Sequence, residues 1–199
     1  MTNILILFII GAMGIMGKPD AQTSMQEEVV WYGLDYTEVK FIGYSEHFSD
    51  LEEIRSHYFS AWNHLIIMES DKYDVKSAMG AGSVTYEVDN AILRSEKREM
   101  SGIVQSGSYA LDKKQLASVI KAYTNPSVDK TGALLIMETL NKLEVTSTMW
   151  LVVFNTSTGE IHHLKRYSGE PGGFGFRNYW ARSYYNVLKN LKSSPQKPL

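Results

Sequence analysis

The chain is 199 residues long, 44% hydrophobic and 21% charged, with a formal net charge of −2. That length and apolar content suffice for one globular core, and the near-neutral balance excludes a general electrostatic attraction to nucleic acid or to an anionic membrane. Cysteine is absent, which excludes a disulfide framework, a thiolate nucleophile, a cysteine metal site and a lipid-modified cysteine.

Residues 4–17 form an apolar run, followed by the polar Lys18, Pro19 and Asp20. A comfortable membrane span needs about 20 apolar residues. The run instead suits the core of a secretory signal, with Ala21 as the small residue before a cut at Gln22. Only the amino terminus supplies positive charge ahead of the run, and Pro19 stands where a small residue is usual; an uncleaved N-terminal anchor is the alternative. Removing residues 1–21 takes one Lys and one Asp and leaves the net charge at −2. The expected division is a signal peptide over 1–21, a polar lead-in over 22–28, one α/β domain over 29–192 and a disordered tail over 193–199, with no stable membrane span after cleavage.

Within the domain, VVWYGLDY at 29–36 predicts a strand, and TEVKFIG at 37–43 extends it or pairs with it. A helix is predicted over 49–68, with Ser49 as cap and Glu52 completing a capping box. At helical spacing Leu51, Ile54, Tyr58, Trp62, Leu65 and Ile66 share its core face. SVTYEVD at 83–89 alternates as a strand, and NAILRSEKREM at 90–100 is a short charged helix or turn. Asp112 caps a further helix that sets Leu116, Val119, Ile120 and Tyr123 on one stripe. ALLIMETL at 133–140 and VTSTMWLVVFN at 145–155 are strands, the second apolar on both faces and so central and covered by helices. NTSTGE is a hairpin loop, and IHHLKRYS at 161–168 is a more polar strand nearer an edge. Phe176, Tyr179, Trp180, Ser183, Tyr184, Val187, Leu188 and Leu191 recur as one helix face. The fold class is α/β (α+β): a single domain with a mixed β-sheet packed against helices and closed by a C-terminal aromatic-faced helix.

The stretch GEPGGFGFRNYWARSYYNVLKN at 169–190 invites a nucleotide or RNA reading. As a dinucleotide fingerprint it fails, because Asn178 stands at the third glycine position and no strand follows. As an RNA-recognition strand it also fails: Gly172 replaces the basic residue, Arg177 replaces an apolar one, and the aromatics fall at helical spacing. What remains is narrower. Gly173 and Gly175 permit close backbone approach at a helix start, where anions are favoured. Arg177 carries a positive charge near that start, against the helix dipole, so it either pairs with a carboxylate of the sheet or serves a ligand. Pairing is the more economical reading.

Two carboxylates are candidates. Asp35 closes the first strand, where α/β sheets commonly place ligand-binding groups. Glu138 shares a strand face with Leu134, Ile136 and Leu140, where a carboxylate has to be paired or exposed at the strand end. A structural salt bridge with Arg177 is more economical than a functional acid pair. Candidate ligand-binding residues are therefore Gly173, Gly175, Arg177, Asp35 and Glu138, and no catalytic residue is assigned. Glu53 and His57 have a spacing that could share a metal, but His64 lies about 10 Å further along the helix, which reads as a solvated face. His162 and His163 point to opposite faces of a strand. No serine-nucleophile elbow, zinc-protease motif or calcium loop occurs. No metal or cofactor is expected.

Taken together, VVWYGLDYTEVKFIG, AWNHLIIMESDKYDV, METLNK and GGFGFRNYWARSYYNVLK resemble a group of secreted proteins from Bacteroidetes-type bacteria, over most of residues 29–190. The resemblance implies export and carries no activity and no catalytic residue. The element order also loosely resembles the small α/β domain at the N-terminus of the periplasmic protein TolB, an analogy of fold alone. The expectation is an exported, non-enzymatic α/β domain, periplasmic or extracellular, that binds an envelope protein or a small ligand and no nucleic acid. The alternative is a small periplasmic hydrolase-type enzyme, using Asp35 or Glu138 with Arg177 orienting an anionic substrate. It requires those three side chains to converge in a concave pocket.

Overall fold

Strand β5 (Thr131–Asn141) is buried at every position, and the sheet is laid out around it in the computed structural model, which describes residues 27–48 and 50–193. Residues 1–21, where a signal peptide is expected, residues 22–26 of the lead-in, Ser49 and residues 194–199 of the expected tail lie outside the described residues. Ser193, also expected in the tail, closes the last helix. One edge of β5 carries two parallel strands end to end: β1 (Glu28–Asp35) along its first half and β2 (Lys40–Ile42) along its second. The other edge pairs antiparallel with β6 (Thr146–Asn155), which pairs with β7 (Ile161–Gly169). Beyond β1 lies β3 (Ser83–Tyr86) and beyond β2 lies β4 (Val104–Gln105), both parallel. The segment 37–43 thus does not pair with the first strand. It leaves the sheet over 36–39 and rejoins the same edge of β5 as β2. The fold is a mixed α/β single domain with a seven-stranded sheet.

Helices cover both faces, as the continuous apolar run of β5 demands. They are α1 (Leu51–Glu53), α2 (Phe59–Met68), α3 (Val75–Met79), α4 (Asp89–Glu96), α5 (Lys113–Lys121) and α6 (Phe176–Ser193). On one face Trp31, Leu34, Phe41, Leu135, Met137 and Leu151 pack against the aromatic faces of α2 and α6. On the other, Val30, Tyr32, Leu134, Ile136, Val152 and Phe154 meet the Leu116–Val119–Ile120 stripe of α5. Asp112 caps α5 in a full capping box with Gln115. No helix among the described residues is long and apolar enough to cross a membrane.

The first long helical segment departs from its predicted register. Asp50 caps it, accepting from the Glu53 amide at 2.8 Å. A π-helical turn over Ile54–Tyr58 then joins α1 to α2, with the Phe59 amide bonded to the Ile54 carbonyl. The extra residue in that turn carries the buried stripe from Ile54 to Phe59 rather than to Tyr58. Asn63 is thereby turned inside, where its amide group accepts from Leu34 N at 2.7 Å and donates to Leu34 O at 3.1 Å. It closes the backbone where the β1–β5 register shifts, between Trp31 and Leu34.

Helix α6 is the buried aromatic helix expected, with Trp180, Ser183, Tyr184, Val187, Leu188 and Leu191 inside. Three contacts fix it. The Trp62 indole donates to the Arg177 carbonyl at 2.9 Å, and Lys192 pairs with Asp74 at 2.7 Å. Gly169 lies directly under it: a Cβ there would sit 2.2 Å from the Ser183 carbonyl oxygen.

Gly169→Ala is therefore expected to cost about 2–3 kcal/mol, because backbone cannot move aside as a rotamer can. The thermal midpoint should fall by roughly 4–12 °C; an unchanged melting curve would refute this close approach. The Lys192 ammonium and the Ser77 amide beside Asp74 hold its carboxyl at about 2, against an ordinary 3.8. With the folded value depressed, the Asp74 contribution is present above pH 3.8 and is lost as pH falls through about 2. Lys192→Gln should flatten the urea-midpoint profile across that interval relative to the parent protein.

Candidate functional site

Asp35 and Glu138 come to the same face of the sheet, beside the break between β1 and β2. Asp35 is paired in register with Ile136, and Glu138 follows two positions on, so alternation sends both side chains toward the second core. The β5–β6 register shifts at Glu138, between Met137 and Thr139. This bulge returns Leu140 to the first core with Met137. Glu138 thus shares a face with Leu134 and Ile136 but not with Leu140, since an inserted residue reverses the alternation beyond it.

Both carboxylates are wholly inaccessible to solvent, and both are held by internal donors. Asp35 Oδ1 accepts from the Thr37 amide at 2.8 Å and from the Thr37 hydroxyl. Its Oδ2 accepts from Arg94 Nε at 3.1 Å and the Tyr123 hydroxyl at 2.6 Å. Those four donors occupy the full acceptor capacity of a carboxylate. Glu138 Oε1 accepts from the Leu111 amide at 2.9 Å and the Trp150 indole at 3.0 Å, while Oε2 takes Arg166 Nε. Burial pushes the Glu138 carboxyl up, but the Leu111 amide, Trp150, Arg166 and Thr148 outweigh it and hold the group below its ordinary value. Burial, and then the adjacent Asp35 charge, push the Tyr123 hydroxyl far up, so it acts as a fixed donor.

A second tier of polar groups closes over this pair. Gln115 of α5 donates to Glu38 at 3.0 Å and to the Tyr109 hydroxyl at 2.9 Å, and Arg98 reaches the Val39 carbonyl at 2.6 Å. Arg94 also lies over the Tyr123 ring, 5.6 Å from its centroid. The break at 36–39 is thus pinned by α4 and α5, and the acids sit beneath it rather than facing a substrate.

Arg177 does not join them. It is exposed at the start of α6, and its Nε meets Asn178 Oδ1 at 3.3 Å. The arginines that pair with the buried acids are Arg94 and Arg166. The pairing expected for Arg177 fails because β7 already brings Arg166 opposite Trp150, on the face of Glu138, and α4 delivers Arg94 to Asp35. Gly173 and Gly175 have φ of +99° and +80°, a region that glycine enters without strain. Phe174 between them is 96% exposed. The loop serves as the turn into α6, and the five expected site residues form one buried acid pair and one separate exposed loop.

An open concavity lies elsewhere. A cleft of about 650 Å³ runs between α2, the β3–α4 turn and the end of α5, lined by Tyr32, His64, Tyr86, Glu87, Asp89 and Tyr123 among others. Tyr123 forms its wall with the ring while its hydroxyl faces inward to Asp35, so the buried network supports the cleft from behind. Sequence reasoning missed Arg94, Arg166, Trp150 and this cleft. Tyr123 was legible only as an apolar stripe residue, although a tyrosine on a core stripe needs a partner for its hydroxyl. Among the described residues, no three His, Asp or Glu side chains approach one another as a metal site would require.

These features define a mixed α/β domain with a closed acid pair and an adjoining open cleft. Comparison with family models, with curated proteins and with solved structures finds no match to this chain.

Removing the Glu138 side chain leaves the buried Leu111 amide and the part-buried Trp150 indole and Arg166 guanidinium without their acceptor, an unsatisfied buried donor costing about 1–3 kcal/mol. Glu138→Ala should lower stability by about 2–5 kcal/mol, and Glu138→Gln, which keeps an acceptor for Leu111 and Trp150, by about 1–2 kcal/mol. Because the folded carboxyl titrates below its ordinary 4.5, its contribution is complete above that pH and disappears as pH falls through the depressed value. Urea titrations at stepped pH should show a steeper acid loss for the parent than for Glu138→Gln. Parallel profiles would contradict the assignment.

Proposed function

We propose that the protein is an exported, non-enzymatic α/β module that binds a partner or ligand in the bacterial cell envelope. The single observation that carries the non-enzymatic part is the saturation of Asp35: all four acceptor positions of its carboxylate are taken by Thr37, Arg94 and Tyr123. A general base or nucleophile needs a lone pair within reach of substrate, and Glu138 is closed off similarly. Export is supported by the apolar run at 4–17 and the small Ala21 after it. The binding part is supported by the open cleft beside Tyr123 and by β7, which among the described residues pairs only with β6 and is exposed along most of its length. The hydrolase alternative lacks its required convergence, since Arg177 stands apart from both acids.

Two measurements test this reading. Mass spectrometry of the exported protein should give a mature N-terminus at Gln22 in the periplasmic or extracellular fraction; an intact Met1 would make it an anchored protein. Purified protein assayed against ester, phosphoester and glycoside substrates should show no turnover above buffer. A rate that Glu138→Gln or Asp35→Asn abolishes, with the fold retained, would restore the enzyme.

A further inference from the structure

Tyr32 forms the floor of the cleft. It is only 8% exposed, and its ring lies across Gly132, where a Cβ would come within 2.9 Å of Tyr32 Cε2. Tyr123 and Phe154 flank it, with centroids at 5.3 and 6.0 Å. A ring wedged so tightly has a fixed direction, yet its hydroxyl makes no hydrogen bond within the described residues. The side chain is buried while its unpartnered oxygen is not sealed from solvent, so that oxygen opens on the cleft and can accept a donor there. Burial, and then the Glu87 carboxylate, push it up, so it stays neutral and keeps oxygen lone pairs to offer.

The cleft's charge is one-sided. Glu87 and Asp89 line it, and no Lys or Arg does. The one basic side chain in the lining is His64, whose Nδ1 faces the Ser60 carbonyl at 3.0 Å. Neither carboxylate forms an ion pair within the described residues. Tyr86 and Tyr123 supply aromatic surface, and Ile67 supplies apolar surface. An anion entering here would meet two uncompensated carboxylates, and a neutral apolar ligand would strip water from them without return. An ammonium ion answers each feature: charge for the carboxylates, a donor for the Tyr32 oxygen, and attraction to tyrosine π-faces.

We propose that this cleft binds a small organic cation through an ammonium head group, which pairs with Glu87 and Asp89 and donates to the Tyr32 hydroxyl while its alkyl portion packs on Tyr86 and Ile67. The inference names a ligand class for the binding reading above and rests on it only in requiring no chemistry at the site.

The test titrates n-butylammonium into isotope-labelled full chain, with 1-butanol as the uncharged counterpart. The ammonium ion should give saturable amide shifts at Tyr32, Glu87, Asp89 and Asn90 with a millimolar or tighter Kd, and 1-butanol should not. Tyr32→Phe, which keeps the ring packing, should weaken binding. The double variant Glu87→Gln/Asp89→Asn should weaken it about tenfold or more, and added salt should weaken it in the parent. Both carboxylates are exposed, so the double variant should keep the parent's melting curve, which separates lost binding from lost fold. Absence of saturable shifts, an equal response to 1-butanol, or an unaltered affinity in the double variant would overturn the proposal. So would binding of glucose in place of the ammonium ion, which would mark a neutral polyol site. Failure here leaves the export and turnover measurements standing, whereas measured turnover would remove the non-enzymatic reading with ammonium binding intact.

Discussion

A carboxylate at position 138, on a strand covered along both faces, has to be neutralised from within the fold, and much of the structure follows from that. Glu138 draws in the backbone of Leu111, the indole of Trp150 and the guanidinium of Arg166. Those three groups come from the entry to α5, from β6 and from β7, so one side chain ties the helical layer to both antiparallel strands. An unpaired carboxylate there would cost several kcal/mol. The bulge at the same residue sets how the rest of β5 faces, because the inserted position returns Leu140 to the opposite core.

Asp35 plays the matching part on β1. It fastens the break at 36–39 through Thr37, α4 through Arg94 and the turn that ends α5 through Tyr123. Neighbouring parallel strands β1 and β5 thus each carry one buried acid, and each acid recruits one partly exposed arginine as counter-ion. Such pairs do little for stability compared with apolar packing but lose much when one member is removed. Their structural effect is register: β1, the break and α5 cannot slide without exposing an unpaired charge. Tyr123 extends that rigidity outward, since the hydroxyl held by Asp35 fixes the ring that walls the cleft and abuts Tyr32.

Much of the architecture was legible in the residues. The strand at 133–140, the Asp112 cap of α5 and the aromatic period of α6 each follow from local spacing and are found there. The alternation expected over 83–89, by contrast, holds only to Tyr86, because Asp89 already opens α4. The π turn was not legible, because the difference between Tyr58 and Phe59 as the next buried position is one hydrogen bond, and both residues are aromatic. The path of residues 37–43 was equally hidden. Whether a short strand pairs with its predecessor or continues along a shared neighbour depends on β5, which lies far away in sequence.

For the candidate site, residue type was informative and partnership was not. A carboxylate flanked by Leu134 and Ile136 declares from sequence alone that it must be paired or exposed at the strand end, and the glycines at 173 and 175 declare a turn into a helix. Those conclusions rest on local chemistry, on desolvation cost and on backbone sterics, which sequence carries directly. That Arg94 and Arg166 rather than Arg177 supply the counter-charges, and that Tyr32, Glu87 and Asp89 share a cleft, depends on which strands lie side by side. Strand order is set by packing across the whole sheet, and only the tertiary structure decides it.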